Sequence, residues 1–110
     1  MSIPSFGIEV VSNGEATRIA PAGELDIATT PALEQAIANA TAEPGAALVL
    51  DLRELTFMDS TGLRTLAQTN ARAEDEGFTL SIWRGSSQIE RVLEISGLGA
   101  LLPLVDAPPD

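Results

Sequence analysis

Ala46-Ala47-Leu48-Val49-Leu50-Asp51 is a continuous apolar run of strand length, closed by a single acid. It is the pattern of a strand covered on both faces, as in a sheet flanked by helices. Helical patterns lie on either side of it. Upstream, Thr30-Pro31 reads as an N-cap followed by proline in the first helical position. Leu33, Ala36, Ile37 and Ala40 then recur at i, i+3, i+4 and i+7, one apolar helix face, and Glu43-Pro44-Gly45 ends the pattern. Downstream, a helix is predicted to begin at Ser60, with Leu63, Leu66 and Ala67 turned inward and Gly77 as its C-terminal stop.

Working outward, Phe6–Val11 and Ala16–Ala20 read as two strands joined by the turn signal Ser12-Asn13-Gly14, a hairpin that Pro21-Ala22-Gly23 brings to an end. Phe78–Trp83 is a further predicted strand. Ser87-x-x-Glu90 has the form of a capping box for a helix carrying Ile89, Val92 and Leu93 and stopped near Gly97. Leu101–Val105 reads as a last strand or edge segment. The predicted order is β-β-α-β-α-β-α with a possible final strand. That is an α/β fold: a mixed sheet of four to five strands with an N-terminal hairpin and helices packed on it. The 110 residues suit one domain, placed at 1–106, with 107–110 as a frayed tail.

Composition removes several classes of function. Sixteen acidic residues against six basic ones give a formal charge of −10, and all six bases are Arg. So acidic a surface repels phosphate backbones and anionic membranes, so neither nucleic acid nor membrane is an expected partner, and a protein is. The chain has no Cys and no His, and it also lacks Lys and Tyr. Disulfides, thiolate metal sites and the usual groups that activate a serine nucleophile are therefore missing. No catalytic residue, metal or cofactor is assigned. Met1–Ser5 lacks a basic start and an apolar run, so it does not read as a secretory signal, and no stretch approaches the roughly 20 apolar residues that span a bilayer. A cytoplasmic location is expected.

The chemistry concentrates between Asp51 and Leu63, which join the buried strand to the next helix. Sites in open α/β sheets gather in such places, at the carboxyl ends of strands. Ser60 stands where the helix should start, and Gly62 in the first turn permits a close backbone approach. One reading makes Ser60 an N-cap and nothing more, since Asp and Ser open many helices. The other places a phosphate there, facing free amides and the positive end of the helix dipole, and adding roughly −1.5 to −2 charges beside Asp59. A docked protein surface would then lose a close contact and meet new repulsion.

Leu55-Thr56-Phe57-Met58-Asp59-Ser60-Thr61-Gly62-Leu63 closely resembles the signature of bacterial anti-sigma factor antagonists, which are single STAS domains. Three further segments resemble that family in order. Gly23-Glu24-Leu25-Asp26 is similar to its turn after the second strand, and Leu48-Val49-Leu50-Asp51-Leu52 to its central strand. Ser86–Leu93 with Ile95-Ser96-Gly97-Leu98 is similar to its late helix and following turn. The resemblance spans Phe6 to Val105 and implies a STAS-like fold with Ser60 as phosphoacceptor. It implies that the unmodified protein binds an anti-sigma factor with serine kinase activity, so releasing a sigma factor, and that phosphorylation ends binding until a serine phosphatase resets it. The chain departs from the family in having Ser87 where Pro is frequent, and in ending before a C-terminal helix that many members have.

By the same resemblance Glu24, Asp26, Asp59, Ser60, Thr61, Gly62 and Arg64 are partner-binding candidates, the acids as contacts for Arg on the partner. Glu24 and Asp26 are otherwise solvated loop carboxylates, and Thr61 a structural residue inside the helix. Arg64 and Asn70 fall on the exposed side of the helix, whereas Ser86 and Ser87 read as caps and Trp83 as packing. Three alternatives stay open. Glu24, Asp26, Asp51 and Asp59 could gather around Mg²⁺. Asp51, closing an apolar strand, could be the phosphorylated Asp of a receiver-like domain, although receivers use a Lys that this chain lacks. A constitutive STAS binding module, with Ser60 only a cap, is the third.

Overall fold

The computed structural model describes residues 6–109. The Met1–Ser5 segment and Asp110 lie outside the described residues, and 107–109 have no regular structure. The chain opens with the expected hairpin, β1 (Gly7–Ser12) antiparallel to β2 (Thr17–Leu25), paired from Gly7↔Ala22 to Ser12↔Thr17. Asn13 makes the turn: its Oδ1 accepts the N–H groups of Glu15 and Ala16, each at 2.9 Å.

Contrary to the expected break at Pro21-Ala22-Gly23, β2 continues to Leu25 because it changes neighbour along one edge. Its first part, Thr17–Ile19, pairs in parallel with β3 (Ala47–Asp51), and its last part, Gly23–Leu25, pairs in parallel with β4 (Leu55–Met58). The register shifts between Gly23 and Glu24. Pro21 falls in the gap between the two partners, where its missing N–H leaves no ladder bond unmade. The strand β4 has no counterpart in the expected order, where these residues are a connection between strand and helix. The six-stranded sheet runs β1-β2-β3-β5-β6, with β4 on β2, where β5 is Thr79–Trp83 and β6 is Leu104–Val105.

Helices α1 (Thr30–Ala40), α2 (Ser60–Glu76) and α3 (Ser87–Ser96) contribute to one core. Leu33 and Ile37 from α1, Leu66 and Ala73 from α2, and Ile89 and Leu93 from α3 join Ile19, Leu48, Leu50, Leu80 and Ile82 from the sheet. Thr29, not Thr30, holds the N-cap position of α1, with Pro31 in its first turn. The inner face of α2 is more polar than expected. Gly62, Thr65, Leu66, Thr69 and Ala73 are buried, whereas Leu63 and Ala67 are only half-buried. The two threonine hydroxyls donate back to Thr61 O at 3.2 Å and Thr65 O at 2.7 Å, which is what allows them inside. Ser86 rather than Ser87 caps α3, and Glu90 accepts the Gly85 N–H at 3.1 Å, so the expected Ser87–Glu90 box does not form. Gly77 and Gly97 close α2 and α3 at φ +80° and +81°. Among the described residues no helix is long and apolar enough to cross a membrane.

The sheet face away from this core carries Arg18, Ala47, Val49, Ser81 and Trp83, all half-buried, so β3 is not covered by helices on both sides as its apolar run suggested. In place of a second helical layer there is an ion-pair cluster. Asp51 is 2 % exposed; its Oδ1 accepts Arg53 N–H and Nε–H at 3.0 Å each, and its Oδ2 accepts Arg53 Nη2 and Arg18 Nη1, also at 3.0 Å. The Arg53 and Arg18 guanidinium carbons stand 5.1 and 5.9 Å from the Trp83 ring centroid. Burial pushes the Asp51 carboxyl up, but the hydrogen bonds from Arg53 and the charges of Arg53 and Arg18 outweigh it and hold the pKa below the ordinary value.

A carboxylate with a depressed folded pKa stabilises the protein above its unfolded pKa, and that contribution is lost as pH falls through the folded value. Asp51→Ala is expected to cost about 2–3 kcal/mol at pH 7, below the usual figure for a broken buried pair because both Arg side chains are partly solvated. In urea unfolding across pH, the gap between wild type and variant should narrow only below the ordinary carboxylate pKa. A gap independent of pH would contradict the ion-pair account.

Candidate functional site

The parallel register Leu25↔Met58 brings the carboxyl ends of β2 and β4 side by side, and Asp59 N–H donates to Leu25 O at 3.2 Å. The turn Asp26–Thr29 and the start of α2 are thereby neighbours. Asp59, half-buried, is the true N-cap: its Oδ1 accepts Thr61 N–H at 2.9 Å and Gly62 N–H at 3.2 Å. Ser60 is the first helical residue, not the cap, and it is exposed. Its hydroxyl makes no hydrogen bond among the described residues, so the cap-only reading of Ser60 fails.

The same geometry corrects the picture of several free amides. Two of them already belong to Asp59, and among the described residues the Ser60 N–H alone is left unpaired in that first turn. Thr61 is half-buried. Gly62 is buried against β2 and β4, and a Cβ there would stand 2.6 Å from Met58 Cγ and 3.0 Å from Leu25 Cδ2. Arg64 lies one turn beyond Ser60 on the exposed side of α2, with no ion-pair partner among the described residues.

Asp26 is more occupied than a solvated acid. Its Oδ1 accepts the N–H groups of Ala28 at 2.9 Å and Thr29 at 3.2 Å, and so shapes the turn. Glu24 is exposed at the end of β2 beside Phe57. Both acids line a cleft of about 260 Å³ with Phe6, Gly23, Ala28, Thr29 and Thr56, none of them basic. Asp51 is not with them. Among the described residues no three His, Cys, Asp or Glu side chains are grouped as for a metal ion, so the four carboxylates do not form the Mg²⁺ site considered above. Asp51, with both oxygens held by arginines, is also poorly placed to attack a phosphoryl donor, which counts against a receiver-like role. Asn70 is drawn off to Leu101 O at 3.4 Å.

A family model described as "Mlab, STAS domain" matches residues 8–105. The chain belongs to the STAS-domain family. It is 28% identical over 100 residues to an anti-sigma-B factor antagonist of Bacillus subtilis, covering 91% of each chain. Among solved structures it is similar to an anti-sigma factor antagonist from Mycobacterium paratuberculosis, with 32% identity, a TM-score of 0.79, and 97% and 92% of the two chains covered. The unphosphorylated form of the anti-sigma factor antagonist SpoIIAA also matches, with 25% identity, a TM-score of 0.73, and 94% and 89% covered.

In this STAS domain the site also includes two apolar residues that the sequence reading passed over. Ile27 in the Asp26–Thr29 turn is 77 % exposed, and Phe57 on β4 is 42 % exposed. The available signal was an isoleucine within a turn, where an apolar side chain has little structural work to do.

Because Asp59 caps and Ser60 does not, the two neighbours should respond differently to truncation. Asp59→Ala should cost about 1 kcal/mol, the usual value of a lost N-cap, whereas Ser60→Ala should change stability by less than about 0.5 kcal/mol. Parallel urea titrations check this, and equal losses would return the cap to Ser60.

Proposed function

We propose that this STAS domain is an anti-sigma factor antagonist that works by partner switching at Ser60. In its unphosphorylated form it binds an anti-sigma factor that is also a serine kinase, and so frees a sigma factor for transcription. The kinase transfers the γ-phosphoryl group of ATP to the Ser60 hydroxyl, the complex dissociates, and a separate serine phosphatase restores the binding form. In this reading the chain is a substrate and a ligand, not an enzyme.

The observation that carries the proposal is the unspent, exposed hydroxyl of Ser60 beside a capping Asp59. A phosphoacceptor must present its oxygen to a kinase without unmaking the fold, and here the fold's need for a cap is met one residue earlier. A phosphate on Ser60 would meet the Asp59 carboxylate as a like charge and compete with it for the Thr61 and Gly62 amides. Arg64, one turn along, is close enough in sequence to be drawn toward the new charge. The surface therefore changes in charge and in the orientation of its few basic groups at once. Glu24, Asp26, Asp59, Ser60, Thr61, Gly62 and Arg64 form the proposed contact region, with Ile27 and Phe57 as its apolar part. The acidic groups call for a basic partner surface, and the apolar ones for a hydrophobic patch within it. The relatives' names support the anti-sigma partner, and the lack of His, Cys and Lys agrees with the absence of catalytic machinery.

With the cognate anti-sigma factor and ATP, mass spectrometry should find one added phosphate, on Ser60, and none on Ser60→Ala. Calorimetry should show the authentic phosphoprotein binding at least about tenfold more weakly, about 1.4 kcal/mol, with Ser60→Asp intermediate because it adds one charge only. Full modification of Ser60→Ala, or unchanged affinity of the phosphoprotein, would overturn the proposal.

A further inference from the structure

Arg64 is the only base among the residues of the contact region, and it is exposed. Arg18, Arg53, Arg72 and Arg84 each close on a carboxylate, whereas Arg64 has no ion pair among the described residues. Its neighbours one turn away along α2 are Ser60 and Thr61 on one side and Ala67 and Gln68 on the other, none of them charged. The same helix shows what an arginine does when an anion stands at that spacing. Arg72 grips Glu76, four residues on, with two bonds: its Nε donates at 2.9 Å and its Nη2 at 3.0 Å. There the acid follows the base, the weaker of the two orders along a helix. An anion at position 60 would precede Arg64, the stronger order.

We infer that Arg64 is the ligand of a phosphate on Ser60 and folds the new charge down onto its own helix. This rests on Ser60 being the modified residue. Two neighbours set the direction. On the N-terminal side stands the Asp59 carboxylate, which repels the phosphate and already holds the Thr61 and Gly62 amides at 2.9 and 3.2 Å. On the C-terminal side stands the Arg64 guanidinium, whose planar fork of N–H groups matches two phosphate oxygens. Both push the phosphate the same way.

Capture also accounts for the sign of the switch. Glu24, Asp26 and Asp59 suit a basic partner, and one more anion facing such a partner would by itself add to the attraction. Held by Arg64, the phosphate presents less charge to the partner but keeps its bulk. The contact region loses its cation in the same step, so phosphorylation acts by rearranging the surface rather than by raising its net charge.

Phosphoserine encoded at position 60 gives the modified protein without the kinase, which separates the capture from the partner. In a phosphorus NMR titration the second ionisation of phosphoserine, ordinarily at about pH 6, should lie lower with Arg64 than in Arg64→Gln. The expected difference is about 0.3 pH unit or more, a twofold or larger change in proton affinity. Arg64→Lys should recover part of it, and high salt should shrink it. Arg91→Gln, which removes the same charge from α3, should leave the ionisation where it is. In binding to the anti-sigma factor, phosphoserine should cost at least about threefold more affinity with Arg64 than in Arg64→Gln. Equal ionisation in those two proteins, or a shift of the same size from Arg91→Gln, would overturn the capture whatever becomes of the switch. An equal loss of affinity with and without Arg64 would overturn its part in release while leaving the Ser60 switch in place. A phosphoprotein that binds as tightly as the unmodified one would overturn the switch itself, and the ionisation would still decide the capture.

Discussion

Strand β2 gives one edge to two partners in succession, and most of the molecule follows from that. The first half of the edge belongs to β3 and the second to β4, with the handover at Pro21–Gly23. A proline and a glycine are costly inside an ordinary central strand. Here the proline occupies the gap where no donor is needed, and Gly23 N–H is taken by Glu54 O at 3.1 Å in the turn between the two partners. Because β4 starts where β3 has just ended, their shared neighbour sets where β4 stops. The stop at Met58, opposite Leu25, aims α2 out of the same rim as the Asp26 turn. Gly62 then lets the first turn of α2 press onto the side chains of Met58 and Leu25, closer than any Cβ would allow.

The few positive charges are used mainly inside this framework. Arg18 and Arg53 close on Asp51 and lie near Trp83, tying β2, β3 and β5 together across the face that has no helices. Arg72 pairs with Glu76 and Arg84 with Glu90. The rim around Ser60 is thereby left with Glu24, Asp26 and Asp59 against Arg64. In the proposed switch, an acidic rim would attract a basic partner while unmodified, and a phosphate added beside Asp59 would change a short-range arrangement that salt screens little.

The α/β class, the hairpin, the three helices and the central strand were legible because each rests on local signals: an Asn-Gly turn, a Thr-Pro start, helical periodicity, and Gly77 and Gly97 as stops. What was not legible depends on contacts distant in sequence. Leu55–Met58 is four residues with no clean alternation, and it is a strand because β2 offers it an edge. Pro21 reads as a breaker until the change of partner is known. Caps were placed one residue off at Thr30, Ser60 and Ser87, since in each case the preceding residue is also a capping type and the backbone angles decide between them. The sequence points to Ser60 as a position, but it hides which residue spends its side chain on the helix start, because Asp59 and Ser60 are equally good caps on composition alone.

That one-residue distinction separates stability from switching. Were Ser60 the cap, phosphorylation would alter the hydrogen bonds that begin α2, and the switch would work partly by loosening the fold. With Asp59 holding Thr61 and Gly62, the serine side chain is a passenger on a secured helix, and the proposed phosphorylation would act first on what docks there.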